Sequence, residues 1–130
     1  MKDHVEILVA DDEGEMRRLL GLILKSCGYL NIAYASDGPS AIMALLRRNI
    51  QIAFVDINMP GEDGISVLKQ AREFSPSCFC VIVSAHSDLQ NVRAALSAGA
   101  RGFIVKPYTE QKIVDVLTQF ERTIVAGIGR

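Results

Sequence analysis

Short apolar runs alternate five times along the chain with longer segments in which apolar residues recur at helical spacing. The runs are rich in Val, Ile, Phe and Ala, and turn residues or polar side chains bound them, which is typical of buried strands. They predict five strands, over residues 5–10, 31–35, 52–56, 79–84 and 102–105.

The segments after the strands predict five helices. Gly28 is expected to stop the first helix, Pro39 to stand at the start of the second, and the sequence 75–77 to end the third. The fourth is predicted over 88–98, and Thr109 is expected to cap the fifth. The apolar face of the first helix is expected to hold Met16, Leu19, Leu20, Ile23 and Cys27.

Strands that are apolar on both faces belong to a sheet that is covered on both sides and is therefore parallel, with helices as crossovers. The predicted fold class is α/β: a doubly wound, five-stranded parallel sheet, (βα)5, with helices on both faces. One domain is expected over residues 1–124, followed over 125–130 by a tail or the start of a linker. A stand-alone protein is favoured over a domain cut from a longer chain, because Met1 begins cleanly and nothing basic follows.

Charge and composition narrow the classes of partner. The 130 residues include 14 basic and 15 acidic side chains, for a formal net charge of -1. This balance gives no reason to expect direct contact with nucleic acid or an anionic membrane. No signal peptide and no apolar stretch of membrane-spanning length is present, so a cytoplasmic location is expected.

Three cysteines stand at scattered positions. Cys78 and Cys80 are expected to face opposite ways, which suits neither a disulfide nor a pair of metal ligands. These two cysteines and Cys27 are predicted to be reduced and to be buried as small apolar side chains.

Four of the five predicted strands end on chemically useful side chains. Acids 11–13 follow the first strand, Asp56 ends the third, Ser84 ends the fourth and Lys106 follows the fifth. The carboxyl ends of parallel strands form the edge where ligands bind in such sheets, so these side chains are expected to converge.

This set of residues suits metal-assisted phosphoryl transfer. Carboxylates at one edge repel each other, and Mg²⁺ relieves that repulsion through oxygen ligands. Lys106 adds a fixed positive charge and Ser84 a hydroxyl donor, while an ionised Asp56 is a nucleophile that needs no general base. Taken singly, Asp56 could be a turn acid, Ser84 could cap a helix and Lys106 could be a solvated lysine. Their predicted convergence favours the site.

The chain resembles the response regulator receiver domain of two-component signalling, of the chemotaxis-regulator type, over residues 5–124. The motifs that carry the resemblance are Asp11-Asp12, Val55-Asp56-Ile57-Asn58-Met59-Pro60-Gly61, Ser84-Ala85, Gly99-Ala100 and Lys106-Pro107-Tyr108. The resemblance implies the flavodoxin-like strand order 2-1-3-4-5.

The resemblance also implies roles for residues of this site. Asp56 would accept a phosphoryl group from a sensor histidine kinase or a phosphotransfer protein. Asp11, Asp12, Asp56 and the backbone carbonyl of Asn58 would hold Mg²⁺, for which Mn²⁺ may substitute. The domain would be a signalling phosphoacceptor that catalyses only its own phosphorylation and dephosphorylation, and not an enzyme in the usual sense.

Further residues would respond to phosphorylation or tune its lifetime. Ser84 and Lys106 would contact the phosphoryl group and Phe103 would turn inward, although Phe103 could equally be an ordinary core aromatic. Asn58 and His86 would set the dephosphorylation rate, with His86 also open to explanation as a plain loop residue. Lys106-Pro107 is the candidate for a cis peptide bond.

The switched surface is expected around the fourth helix, the fifth strand and the fifth helix, where an output protein, an effector domain or a second copy of the chain would dock. The residues expected on that surface are Arg93, Ser97, Tyr108, Gln111 and Asp115. An aspartyl phosphatase is disfavoured because Asn58 occupies the place of its second acid. A flavin or nucleotide carrier is disfavoured because acids replace a phosphate-binding loop. A phosphorylation-independent interaction module stays open as the alternative.

Overall fold

The computed structural model describes residues 2–85 and 89–128. Five strands alternate with five helices, after one short 3-10 turn at Lys2–His4. The strands are β1 Glu6–Ala10, β2 Asn31–Ala35, β3 Ile50–Asp56, β4 Phe79–Ser84 and β5 Gly102–Val105. The helices are α1 Gly14–Ser26, α2 Gly38–Arg47, α3 Gly64–Phe74, α4 Leu89–Ser97 and α5 Glu110–Ile128.

All five strands form one parallel sheet in the order β2-β1-β3-β4-β5. The predicted fold class and strand order are therefore confirmed. The order reverses direction between β1 and β3, and this is where an open α/β sheet forms its crevice.

Side chains alternate between two apolar layers, one on each face of the sheet. On β3, Phe54 packs towards α1 and α5, whereas Val55 packs towards α2, α3 and α4. Both are fully buried, and each contributes about 1.5–3 kcal/mol through loss of apolar surface to water. Burial on both faces explains why the strands are continuous apolar runs.

Turn and cap residues stop and start the helices where the sequence predicts. Gly28 ends α1 with a φ of 95°, which only glycine adopts without strain. Asp37 caps α2 by accepting a hydrogen bond of 2.7 Å from the Ser40 N–H. Thr109 Oγ1 likewise accepts from the Lys112 N–H at 3.3 Å, at the start of α5.

The predicted apolar face of α1 is rotated in the structure. Leu24 is fully buried and Leu20 is 3% exposed, whereas Leu19 is 43% exposed. The prediction that Leu19 belongs to the buried face is therefore wrong. Leu20 and Leu24 lie four residues apart and so share the stripe that packs on the sheet, and Leu19 lies to one side of it.

The prediction that Cys78 and Cys80 face opposite ways is also wrong. Both side chains are buried in the apolar layer under α3 and α4, with their sulfur atoms 3.8 Å apart. Residues two apart on an extended chain share a face, which is the reason for this arrangement. All three cysteines are free thiols, as expected; Cys27 is half-buried on the other face of the sheet.

Helix α5 extends to Ile128, past residue 124, where the sequence suggests a boundary. The division into 1–124 and a tail stays a prediction. No helix in the described ranges is long and apolar enough to cross a membrane.

Candidate functional site

The carboxyl edge of the sheet brings together residues from four strands. Ala10 pairs with Val55 on the adjacent strand, so Asp11 and Asp56 emerge side by side. Asp56 pairs with Val83, and Ser84 with Val105, so that Ser84 and Lys106 follow on the neighbouring strands. The predicted convergence of Asp11, Asp56, Ser84 and Lys106 is what the backbone register produces.

The Lys106 ammonium lies at the centre of this edge. Its Nζ atom is 2.8 Å from Asp11 Oδ2 and 3.0 Å from Asp56 Oδ2. A third carboxylate, Glu13, contributes Oε1 at 3.1 Å. The side chains of Lys106, Asp11 and Asp56 are each less than a tenth exposed, so these ion pairs lie in a largely dry environment where charge interactions are strong.

Burial and the nearby opposite charges act in opposite directions on the pKa values of Asp56 and Lys106. Burial raises the pKa of Asp56, and the charge of Asp11 adds to the rise, while the Lys106 ammonium and the Asn58 N–H oppose it. Burial alone would lower the pKa of Lys106, but its hydrogen bonds to Asp11, Asp56 and Glu13 raise it above the usual value. The two partners do not shift as mirror images, because Asp56 also lies beside a second carboxylate.

Backbone amides orient the two buried carboxylates. The Glu13 N–H donates to Asp11 Oδ1 at 2.9 Å, and the Asn58 N–H donates to Asp56 Oδ1 at 3.2 Å. Each carboxylate therefore keeps one oxygen on the backbone and turns the other towards Lys106. The two oxygens that face Lys106 are therefore held close together.

Sequence reasoning did not assign a role to Glu13 or Arg17. Glu13 reaches Lys106, and Arg17 Nη1 donates to the Asp11 carbonyl oxygen at 2.6 Å. Glu13 was visible as the third acid after β1, but Arg17 carries no motif. Its contact depends on the helix placing it beside the end of the strand.

The acidic side chains at this edge fit a hard divalent cation. Asp11, Asp12, Glu13 and Asp56 each offer one oxygen, and these atoms lie within 4.8 Å of one another. Oxygen ligands without His or Cys are the preference of Mg²⁺ and Mn²⁺. This is the only group of three or more ligating side chains in the ranges 2–85 and 89–128.

The remaining predicted residues surround this acidic edge. Ser84 is fully buried. Phe103 is half-buried and packs against the apolar layer under α4, on the face of the sheet that Ser84 also occupies. The Lys106-Pro107 peptide bond is cis. His86 lies outside the described residues.

The predicted output surface is accessible. Arg93, Ser97, Gln111 and Asp115 are exposed, and Tyr108 is half-buried. Gln111 Nε2 donates to Asp115 Oδ1 at 2.9 Å along α5. Burial raises the pKa of Tyr108 to about 12, with the Asp11 charge adding to the rise.

Comparison with known proteins identifies the family. The family model of the response regulator receiver domain matches residues 7–118. The chain belongs to this family. It is 34% identical over 121 residues to the chemotaxis protein CheY of Pseudomonas aeruginosa, a match that covers 91% of this chain and 98% of that protein. The receiver domain is a signalling domain of two-component systems, so the predicted family and general role are confirmed.

Solved structures agree with this assignment. A receiver domain protein described as CheY-like, from Methanospirillum hungatei, superimposes with a TM-score of 0.85 at 23% identity, covering 91% of this receiver and 94% of that chain. A chain of the CheX–CheY–BeF3–Mg²⁺ complex of Borrelia burgdorferi gives a TM-score of 0.84 at 32% identity, covering 88% and 87%. The first of these similarities supports the fold, and the second also supports the family.

Proposed function

We propose that this receiver accepts a phosphoryl group on Asp56. The observation that carries the proposal is the convergence of Asp11, Asp56 and Lys106 at one buried edge, with sub-3.1 Å contacts from the ammonium to both carboxylates. Asp56 Oδ2 is the acceptor oxygen in this proposal, because Oδ1 is held by the Asn58 N–H.

The proposed reaction needs positioning and charge neutralisation more than covalent chemistry. The Asp56 oxygen forms a bond to phosphorus while the bond from phosphorus to the donor's imidazole nitrogen breaks, and that nitrogen takes up a proton. Lys106 is already within contact distance of the attacking carboxylate. It therefore neutralises charge on the transferred phosphoryl oxygens without having to be recruited.

Mg²⁺ is the cofactor that the donor set fits, with Mn²⁺ as a substitute. Asp11, Asp12 and Asp56 would hold it together with the Asn58 carbonyl. When bound it would offset the negative charge that the carboxylates and the phosphoryl group bring to one place. The related Borrelia complex contains Mg²⁺ and BeF3, which supports the same chemistry for this chain.

Phosphorylation would be read out at the predicted output surface. The added group carries about -1.5 to -2 charges and three acceptor oxygens. Ser84 would hydrogen-bond it, and Phe103 would move within the layer under α4. The surface of α4, β5 and α5 would then favour an output protein, an effector domain or a second copy of the chain. A histidine kinase or phosphotransfer protein would supply the phosphoryl group.

A direct test uses the purified chain and acetyl phosphate, with and without Mg²⁺, and follows intact mass. The expected result is one phosphoryl adduct that requires Mg²⁺ and is absent in Asp56→Asn. Asp63→Asn is a matched control, because Asp63 lies outside the acidic edge and caps α3; it should still be labelled. Absence of an adduct from the folded wild-type chain would favour the phosphorylation-independent interaction module instead.

A further inference from the structure

A second chemically reactive feature lies at the opposite end of β4 from Ser84. Cys78 immediately precedes the strand and Cys80 is its second residue. Their Sγ atoms are 3.8 Å apart, within S–H···S hydrogen-bond distance. The pair lies away from the acidic edge and takes no part in the proposed phosphoryl transfer.

The two thiols lie at the margin of the apolar layer, where they also line a cavity. The cavity has a volume of about 420 Å³ and lies between α3 and the loop that leads into β5. Cys78 and Cys80 are only 7% and 6% exposed, yet both contribute to the cavity wall. A molecule the size of water or a peroxide therefore has space to reach the sulfur atoms.

The charges around this cavity favour a thiolate. Among the residues that the structure describes, its lining contains Arg72 and Arg101 and no acidic residue. Arg72 Nη1 donates to the Ser97 carbonyl at 3.0 Å, and the Arg101 guanidinium lies 5.7 Å from the centre of the Phe79 ring. Both arginines line the same cavity as the two thiols, and cationic surroundings are typical of reactive cysteines.

We propose that Cys78 and Cys80 form a redox-active dithiol, which hydrogen peroxide converts into an intramolecular disulfide. In the first step the Cys80 thiolate attacks the peroxide: an S–O bond forms, the O–O bond breaks, and the leaving oxygen takes a proton as water. In the second step the Cys78 sulfur attacks the sulfenic sulfur: the S–S bond forms, the S–O bond breaks, and the oxygen leaves with the Cys78 proton as a second water. Two thiols are oxidised and one peroxide is reduced.

The assignment of Cys80 as the attacking thiol follows from its surroundings. The hydrogen bond between the two sulfur atoms lowers the pKa of Cys80, and Arg101 adds to this effect against the opposing influence of burial. The same hydrogen bond and burial raise the pKa of Cys78. Cys80 is thus the better thiolate, and Cys78 is placed to resolve the sulfenic acid.

Cys78 can move towards Cys80 without disturbing the sheet. A disulfide requires the sulfur atoms to approach to about 2.05 Å. The hydrogen-bonded ladder between β3 and β4 begins at Phe79, so Cys78 lies outside it. Cys78 belongs instead to the preceding turn, where its N–H donates to the Ser75 carbonyl oxygen at 3.0 Å. A shift of Cys78 therefore breaks no strand pairing.

A zinc site is a weaker interpretation of the same thiols. Structural zinc uses four protein ligands and catalytic zinc three. In the part of the chain that the structure describes, no third ligating side chain joins this pair, since the only larger group is the acidic edge.

The test treats the reduced full chain with hydrogen peroxide, quenches with catalase, alkylates remaining thiols in denaturant and maps the tryptic peptides. The peptide 73–93 contains both cysteines of the pair and excludes Cys27. The expected result is loss of both alkylatable thiols from peptide 73–93, with a mass two hydrogens lower, reversed by dithiothreitol. Cys27→Ser is the matched control and should give the same product.

Cys78→Ser and Cys80→Ser should each lose the disulfide product, with circular dichroism to check that they fold. The wild-type and Cys27→Ser peptides decide the matter even where a serine variant is unstable. Peptide 73–93 that stays fully alkylatable after peroxide treatment, or that passes to sulfinic acid without a disulfide, would overturn the proposal. So would oxidation confined to Cys27.

Discussion

Gly64, the first residue of α3, lies where a side chain would collide with the backbone of Asp56 at the end of β3. A Cβ atom added there would lie 2.3 Å from the Asp56 carbonyl oxygen and 2.9 Å from its carbonyl carbon. Gly64→Ala therefore forces the start of α3 away from the end of β3 by about 0.7 Å or more, since Cβ contacts below about 3.0 Å are essentially not seen. No flexible side chain is available to absorb the shift.

The expected cost can be worked from these contacts. Overpacking against a fixed backbone costs about 1–3 kcal/mol. The hydrogen bond from Gly64 N to Ile57 O, now 2.8 Å, would be stretched, at about 1 kcal/mol. The reduced chain entropy of alanine offsets about 0.4–1 kcal/mol. The net prediction is a loss of about 1–4 kcal/mol in the free energy of unfolding.

Gly14→Ala is the matched control, because Gly14 is the first residue of α1 and its added Cβ would meet only the tip of Arg17 at 3.5 Å. It should leave stability unchanged or raise it by up to about 1 kcal/mol, because the entropy gain of alanine is not opposed by a clash. Urea denaturation of both variants measures the difference, and acetyl phosphate labelling should fall at least tenfold in Gly64→Ala, since the Asp56 peptide moves. Equal stability of the two variants would refute this reasoning.

Three further predictions concern the buried charges, a buried phenol and the lifetime of the phosphorylated state. Lys106→Met should lower the free energy of unfolding by about 3 kcal/mol, because it leaves the buried charges of Asp11 and Asp56 uncompensated. In a double-mutant cycle measured with urea, adding Asp56→Asn should recover part of that loss, and additive effects of the two substitutions would contradict the ion pair. Burial and a hydrogen bond to Glu121 raise the pKa of Tyr29 above its usual 10.0, so the contribution of Tyr29 to folding stability is intact below pH 10 and declines above it. From pH 8 to 10.5 the free energy of unfolding of the wild type should fall by about 0.8 kcal/mol more than that of Tyr29→Phe. Urea titrations of the two proteins measure this difference, and equal losses would contradict the prediction. Changing Asn58 should alter the dephosphorylation rate more than Mg²⁺ affinity, because only its backbone would contact the metal; hydrolysis equal to that of wild type would contradict this.

The strands could be predicted closely because each is a buried apolar run. The predicted bounds of β2, β4 and β5 agree with the structure, and β3 begins only two residues earlier, at Ile50. A strand in a covered parallel sheet has one simple requirement, apolar side chains on both faces, and that requirement is legible in the sequence.

Helix orientation and side-chain contacts across elements were harder to predict. The apolar stripe of α1 is broad enough in sequence to admit either Leu19 or Leu24, and packing against the sheet and α5 selects Leu24. The Cys78–Cys80 contact was mispredicted because the alternation of strand faces was misapplied, not because the sequence lacks the signal.

The candidate site was predictable at the level of which residues meet, but not of how they are held. Strand ends in a parallel sheet share one edge, which places Asp11, Asp56 and Lys106 together once the fold class is known. The third contact of Lys106, to Glu13, depends on side-chain reach from the loop before α1. Sequence spacing carries no information on that reach.

Trapping the acyl phosphate identifies the phosphoryl acceptor and so distinguishes Asp56 from the other acids at this edge. The chain is labelled with acetyl phosphate and Mg²⁺ and reduced with borohydride, which converts an aspartyl phosphate to homoserine, and its peptides are sequenced by mass spectrometry. Homoserine is expected at position 56 and at no other acid, including the neighbouring Asp11. Homoserine at Asp11, Asp12 or Glu13, with Asp56 unmodified, would contradict this expectation.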